Sequence, residues 1–245
     1  GAYYEIDNGN MDMSYPNRDL YIGHSNGIDY EFPWHNRFMG VIDRLVIAHS
    51  RVTQDNFGNY PFDDPELDPE LMAYWDFNEA SGPILLDHSG NNNHGIIYGA
   101  EWSDDVPNMD PPVDPPPPIC DDCYSLKFDG DDHVFIGDNE SLDLISEEFT
   151  FLATVKFSGV GEEGYILSKR YFSSGAGYEL RVGNGLIFAE VNPGGSAITL
   201  TAPVVNDDHF HTIVVSFKNQ EYFRLYLDGE LVDDFGLNAT IGTVT

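Results

Sequence analysis

The stretch Asn108–Ile119, NMDPPVDPPPPI, divides the chain more sharply than any other feature. Proline fixes φ and removes a backbone donor, so neither a helix nor a central strand passes through it, and an extended polyproline II rod remains. At about 3.1 Å per residue such a rod spans roughly 35 Å, far more than a link between neighbouring strands needs. It reads as a stiff linker, residues 108–119, setting residues 1–107 apart from residues 120–245 as two bodies.

Beyond the linker, strand follows strand: Ser125 to Phe128, His133 to Ile136, Phe149 to Phe157, Tyr165 to Ser168, Tyr178 to Val182 and Leu186 to Val191. His211 to Phe217, Tyr222 to Leu227 and Glu230 to Asp233 then make a meander, its last turn at Asp228-Gly229. Before the linker, Asp19 to Gly23, Gly40 to Ala48 and Ala73 to Phe77 are strands, and the proline- and acid-rich run from Thr53 to Leu71 is loop. No segment sustains a 3.6-residue apolar period, so the class is all-β.

Acidic residues outnumber basic ones by 42 to 11, a formal charge of -31. Such a field repels nucleic-acid backbones and anionic membranes, and it favours solubility and the uptake of hard cations such as calcium. No apolar run approaches the roughly 18 residues of a membrane helix. The start, Gly1-Ala2-Tyr3-Tyr4, lacks the basic and apolar regions of a signal peptide, so a secreted chain would carry its signal elsewhere or have lost it. Cys120 and Cys123 form a CxxC, read as a small local disulfide in an oxidising compartment; one CxxC cannot supply four zinc ligands, and no βαβ pattern suggests a redox motif.

The segments SLKFDGDDHVFIGD (Ser125 to Asp138), EEFTFLATVKF, YILSKR, GYELRV and HTIVVSFKNQEYFRLYLDGELV resemble, in order, the first two-thirds of a laminin-G-like domain of large secreted proteins. Residues 19–52, DLYIGHSNGIDYEFPWHNRFMGVIDRLVIAHSRV, resemble its last two strands, and Leu71 to Pro107 resembles the tail that often follows them. The resemblance implies an antiparallel jelly-roll β-sandwich of the concanavalin A-like superfamily and an extracellular, non-catalytic role. Here the family's order is rotated, with its carboxy-terminal strands first.

Either part alone would leave backbone groups and apolar faces unpaired. Three arrangements answer this: the parts close on each other within one chain, they complement neighbouring copies, or the chain is an excerpt of a tandem array. A stiff linker favours repeating units associating head to tail, as in a surface fibre or adhesin; head-to-tail contact propagates unless its rotation closes. The alternative is a carbohydrate-binding module of a larger secreted protein.

Several groups of side chains are candidates for chemistry. Asp87, Ser89, Asn91 and Asn93 place oxygens at alternate positions of a glycine-containing loop, a spacing calcium loops use, although an Asn-Gly-rich loop is also an ordinary turn. Asp129 and Asp131, in the turn Asp129-Gly130-Asp131-Asp132, are a second possible calcium set, against a plain hairpin with solvated acids. Tyr30 and Trp34 are loop aromatics suited to stacking on sugar rings, against ordinary packing. His209 and His211, alternate on a strand, read as structural rather than metal-binding. Asn139 and Asn238 head Asn-x-Ser/Thr sequons, acceptors only in a glycosylating host.

For catalysis the rival in this superfamily is glycoside hydrolysis by paired carboxylates. Glu5-Ile6-Asp7 begins such a pattern, but Asn10 stands where the last glutamate belongs. No nucleophile elbow or phosphate-binding loop occurs, so no enzymatic activity is expected.

Overall fold

The computed structural model describes residues 18–25, 38–49, 70–107, 123–144, 148–158, 163–170, 177–192, 197–218 and 221–236. The linker, and with it Cys120, lies outside these residues, as do Tyr30, Trp34 and Asn238.

Residues before the linker form β1 (Leu20–Ile22), β2 (Met39–Ala48), β3 (Leu71–Trp75), β4 (Ile84–Leu85), β5 (Gly95–Tyr98) and β6 (Glu101–Ser103). Those after it form β7 (Ser125–Asp129), β8 (His133–Ile136), β9 (Glu148–Phe157), β10 (Gly164–Arg170), β11 (Gly177–Gly183) and β12 (Leu186–Asn192). They continue with β13 (Ile198–Pro203), β14 (His211–Lys218), β15 (Tyr222–Leu227) and β16 (Glu230–Gly236), and Glu140–Leu142 make a 3₁₀ turn.

One sheet runs β13-β12-β11-β10-β1-β8-β5-β4, the other β16-β15-β14-β9-β2-β7-β6 with β3 also paired to β2. β1 lies between β10 and β8, with Tyr21 opposite Ser168 on one side and Phe135 on the other. β2 lies between β9 and β7, Ile47 opposite Phe151 and Ile42 opposite Leu126. Strands from the two sides of the linker therefore interleave in both sheets, and the sandwich is completed within the chain. A proline segment limits its own backbone but not what the strands on either side of it pair with.

The core lies between the sheets. Leu20, Ile22, Val134, Ile136, Leu180 and Ile187 from the first face Ile42, Leu45, Leu126, Phe149, Val215 and Phe217 from the second, all at or near complete burial. Phe151 and Tyr178 stack across the two layers at 4.9 Å, and the Tyr178 hydroxyl donates to the Leu142 carbonyl at 3.0 Å, so its burial strands no polar group. β2 and β9 are buried almost throughout, and in sequence both are rich in apolar residues on both faces, as in Leu45–Ala48 and Phe151–Ala153. The outward side of β2 contributes Val46 and Ala48 to a smaller cluster with Leu71, Leu152, Val214 and Tyr226.

Two charged groups tie distant segments together. Lys169, 2 % exposed, donates to the Arg18 carbonyl at 2.8 Å and to Asp138 at 3.0 Å, with Asp143 at 3.2 Å, joining the entry to β1 onto β10. His211 opens β14 buried, its Nδ1 2.7 Å from Asp228 Oδ2 and its Nε2 3.0 Å from Asp207 Oδ1. His209 sits outside the strand and is exposed, so the two rings do not share a strand face. Burial alone would lower the His211 pKa, but the hydrogen bonds to Asp228 and Asp207 outweigh it and raise it above 6.5.

Replacing Lys169 with Met should lower stability by about 3 kcal/mol, read as a reduced urea midpoint, because Asp143 and Asp138 lose their buried partner. Because the His211 pKa is raised in the folded state, its stabilisation is complete below the unfolded value of about 6.5 and fades as pH rises through the folded value. The midpoint difference between wild type and His211→Gln should therefore be largest in mild acid and shrink above neutrality.

Candidate functional site

Alternation in β1 and β8 sends Leu20, Ile22, Val134 and Ile136 inward and therefore Tyr21, His133 and Phe135 outward on the first sheet. β5 adds Tyr98, paired with His133, and Ile96, paired with Phe135. The rings adjoin: Tyr98 stacks on His133 at 4.8 Å and 18°, and Tyr21 meets Phe135 edge-on at 5.5 Å. His24 follows β1 and reaches the same group, 5.7 Å from His133 and 6.2 Å from Tyr21. Gly23 at φ +82 allows this bend, and a side chain there would run into the Phe128 ring at 2.6 Å. Tyr98 is 49 % exposed and Ile96 41 %, so the face is open at the β5 side. Burial, and next the Asp19 carboxylate, push the Tyr21 phenol above its usual pKa, keeping it a neutral hydrogen-bonding group.

The acidic turn borders this face. Asp132 directly precedes His133, and its Oδ2 accepts the Asp129 N–H at 2.8 Å. Gly99, at φ +88 directly after Tyr98, packs against it: a Cβ there would lie 2.0 Å from Asp132 Oδ1. One oxygen from each of Asp129, Asp131 and Asp132 falls within 4.8 Å of the others. Asp131 hydrogen bonding holds the exposed Asp129 carboxyl below the usual range, whereas burial, aided by the nearby Asp129 charge, raises that of Asp132. Three convergent carboxylates suit a hard cation through oxygen ligands.

The segment Asp87–Asn93, whose spacing suited calcium, is also gathered, but as a hydrogen-bonded clamp. Asp87 Oδ1 accepts from the Tyr74 and Ser89 N–H groups, each at 2.9 Å, and Oδ2 accepts from Asn93 N–H at 2.8 Å with the Ser89 hydroxyl 2.9 Å away. The Asn91 and Asn93 amides donate to the Leu71 and Met72 carbonyls of β3, both at 2.9 Å. The Trp75 indole donates to the Asn93 carbonyl at 2.9 Å, closing the loop over the core. With N–H and O–H donors already on both Asp87 oxygens, the geometry there is that of a turn-stabilising carboxylate.

Asn139 caps the 3₁₀ turn, its Oδ1 accepting from Ser141 N–H at 3.0 Å, and its amide donates to the Asn91 carbonyl at 3.2 Å. There is no free cysteine among the described residues, which include Cys123. Tyr30 and Trp34 lie outside the described residues. Sequence reading passed over Tyr21, Tyr98, His133 and Phe135. The alternation in LYI and HVFI held the signal for three of them, while Tyr98 joins only through the pairing of β5 with β8.

Among the described residues no helix is long and apolar enough to cross a membrane. No curated protein sequence matches significantly. The receptor binding domain of botulinum neurotoxin C/D mosaic serotype aligns over 66 % of this chain and 39 % of its own, at 11 % identity and TM-score 0.33. The botulinum neurotoxin serotype D binding domain aligns over 64 % and 38 %, also at 11 % identity and TM-score 0.33. This chain thus spans less than two-fifths of the length of either structure. Residues 128–245 match the sequence profile of the concanavalin A-like lectin/glucanases superfamily. The two large antiparallel sheets have the β-sandwich, jelly-roll architecture of the superfamily that residues 128–245 match.

Proposed function

We propose that this chain is a non-catalytic, extracellular carbohydrate-binding and adhesive module that holds neutral glycans on the outward face of β1, β8 and β5. The observation that carries this reading is the row of adjoining rings Tyr21, His24, His133, Phe135 and Tyr98. Aromatic rings on a sheet surface present flat apolar faces to the C–H faces of pyranose sugars, while Tyr and His edges hydrogen-bond hydroxyls. The charge of -31 works against acidic glycans and leaves neutral ones. A local disulfide between Cys120 and Cys123 of the CxxC would suit an oxidising, extracellular setting.

Calcium enters the proposal at Asp129, Asp131 and Asp132, where the ion would brace the turn that supports His133 and lies against Gly99. The head-to-tail fibre is the weaker reading, because β1 and β2 already occupy the places that a neighbour's strands would fill. Among the described residues each remaining sheet edge is a single strand such as β16, whose Asp233 and Asp234 discourage edge-to-edge pairing.

On an array of neutral glycans the chain should bind at least one class, and Tyr98→Ala should weaken that binding about tenfold or more while leaving the unfolding midpoint within error. Absence of binding at high protein concentration would count against the proposal. Calorimetric titration should show calcium uptake that Asp129→Asn with Asp131→Asn removes; uptake unchanged in that double variant would move calcium elsewhere.

A further inference from the structure

A second cluster lies away from the aromatic face, where β3 runs out beside β2. Asp76 directly follows β3, Glu79 stands three residues on, and His88 returns on the loop between β4 and β5. His88 is set by its own backbone, whose N–H donates to the Tyr74 carbonyl at 2.8 Å, and its ring lies 6.1 Å from that of Tyr74. Its Nε2 is 3.3 Å from Asp76 Oδ1. One ligand atom from each of Asp76, Glu79 and His88 lies within 4.8 Å of the others.

Two further observations single this cluster out from ordinary surface acids. Glu79 Oε1 accepts the Leu86 N–H at 2.8 Å, but Oε2 is sealed from solvent with no hydrogen-bond partner. A buried carboxylate oxygen without a donor is costly to leave so. Asp43, only 9 % exposed, sits at the bulge of β2 between Ile42 and Arg44, and no described residue donates a hydrogen bond to it. The β2–β3 register, Leu45 opposite Trp75, brings Asp43 and Arg44 level with the end of β3, close enough for Asp43 and Asp76 to repel each other. Arg44 adjoins Asp43, whereas Glu79 has the Asp76 carboxylate and the His88 ring as its charged neighbours.

We propose that Asp76, Glu79 and His88 form a binding site for a divalent transition metal of the zinc class. Metal–ligand bonds of about 2.0–2.1 Å in tetrahedral geometry put neighbouring ligand atoms roughly 3.3 Å apart, which is the Asp76–His88 spacing found here. An imidazole nitrogen beside two carboxylates favours zinc over calcium, which takes six to eight oxygens. Asp43 then balances charge from behind, through Asp76. The ion would fasten the residues between β3 and β5 to the sheet, so its effect is structural, through mass action on the folded state.

The test is a titration of the full chain with Zn²⁺ in calcium-containing buffer, followed by calorimetry and by thermal unfolding, with Co²⁺ as a spectroscopic probe. One Zn²⁺ per chain, a raised melting temperature and a cobalt spectrum lost on His88→Gln are expected, with His88→Gln and Glu79→Gln each weakening affinity at least tenfold. Glutamine at position 79 still accepts the Leu86 N–H, so that variant should fold, and unchanged metal-free unfolding verifies it. No zinc-dependent shift in the wild type, or wild-type affinity in both variants, would overturn the proposal. Asp131→Asn should leave zinc binding unchanged; its loss there would place the metal in the other acidic turn and equally overturn it.

Discussion

Everything in this fold depends on two strands from the start of the chain lying in the middle of sheets built mostly from its end. β1 carries hydrogen bonds to β10 on one side and β8 on the other, and β2 does the same between β9 and β7. Without them each sheet would split into two pieces with raw inner edges, and Leu20, Ile22, Ile42, Leu45 and Ile47 would leave a gap through the centre of the core. Cooperativity between the two parts of the chain follows, since neither part can bury its apolar faces alone.

Polar contacts then hold this long-range arrangement in one register. Lys169 joins the residue before Asp19 to Asp138 and Asp143 from deep burial, where an unpaired ammonium would not be tolerated. The Asp87 clamp performs the same task for β3, gathering backbone donors from Tyr74, Ser89 and Asn93 while Asn91 and Asn93 bind its carbonyls. A spacing that suits calcium thus also suits a self-satisfied turn, and only the direction of the donors separates the two.

The same architecture creates the candidate surface. Because β1 sits beside β8 and β8 beside β5, rings from positions 21, 98, 133 and 135 meet, although they are spread over more than one hundred residues of sequence. The aromatic face rests on the sheet and the acidic turn at its margin, so shape and charge at that edge are set by the strand backbone, with little left to flexible loops.

Much of this was legible in the chain itself. The all-β class and most of the strands followed from alternation and turns, which are local properties of the backbone and of apolar spacing, and the likeness to laminin-G-like domains followed from motifs. Short β4, β5 and β6 were not, because two to four residues carry too little pattern, and β13 was passed over in a polar stretch. What the sequence by itself determined was where the longer strands lie and which of their faces are apolar. Tertiary structure alone decided that β1 and β2 close the sandwich within the chain, that Tyr98 reaches His133, and that Asp76, Glu79 and His88 converge. Pairing between distant strands is settled by whole-sheet burial and hydrogen bonding, which no local window of sequence contains.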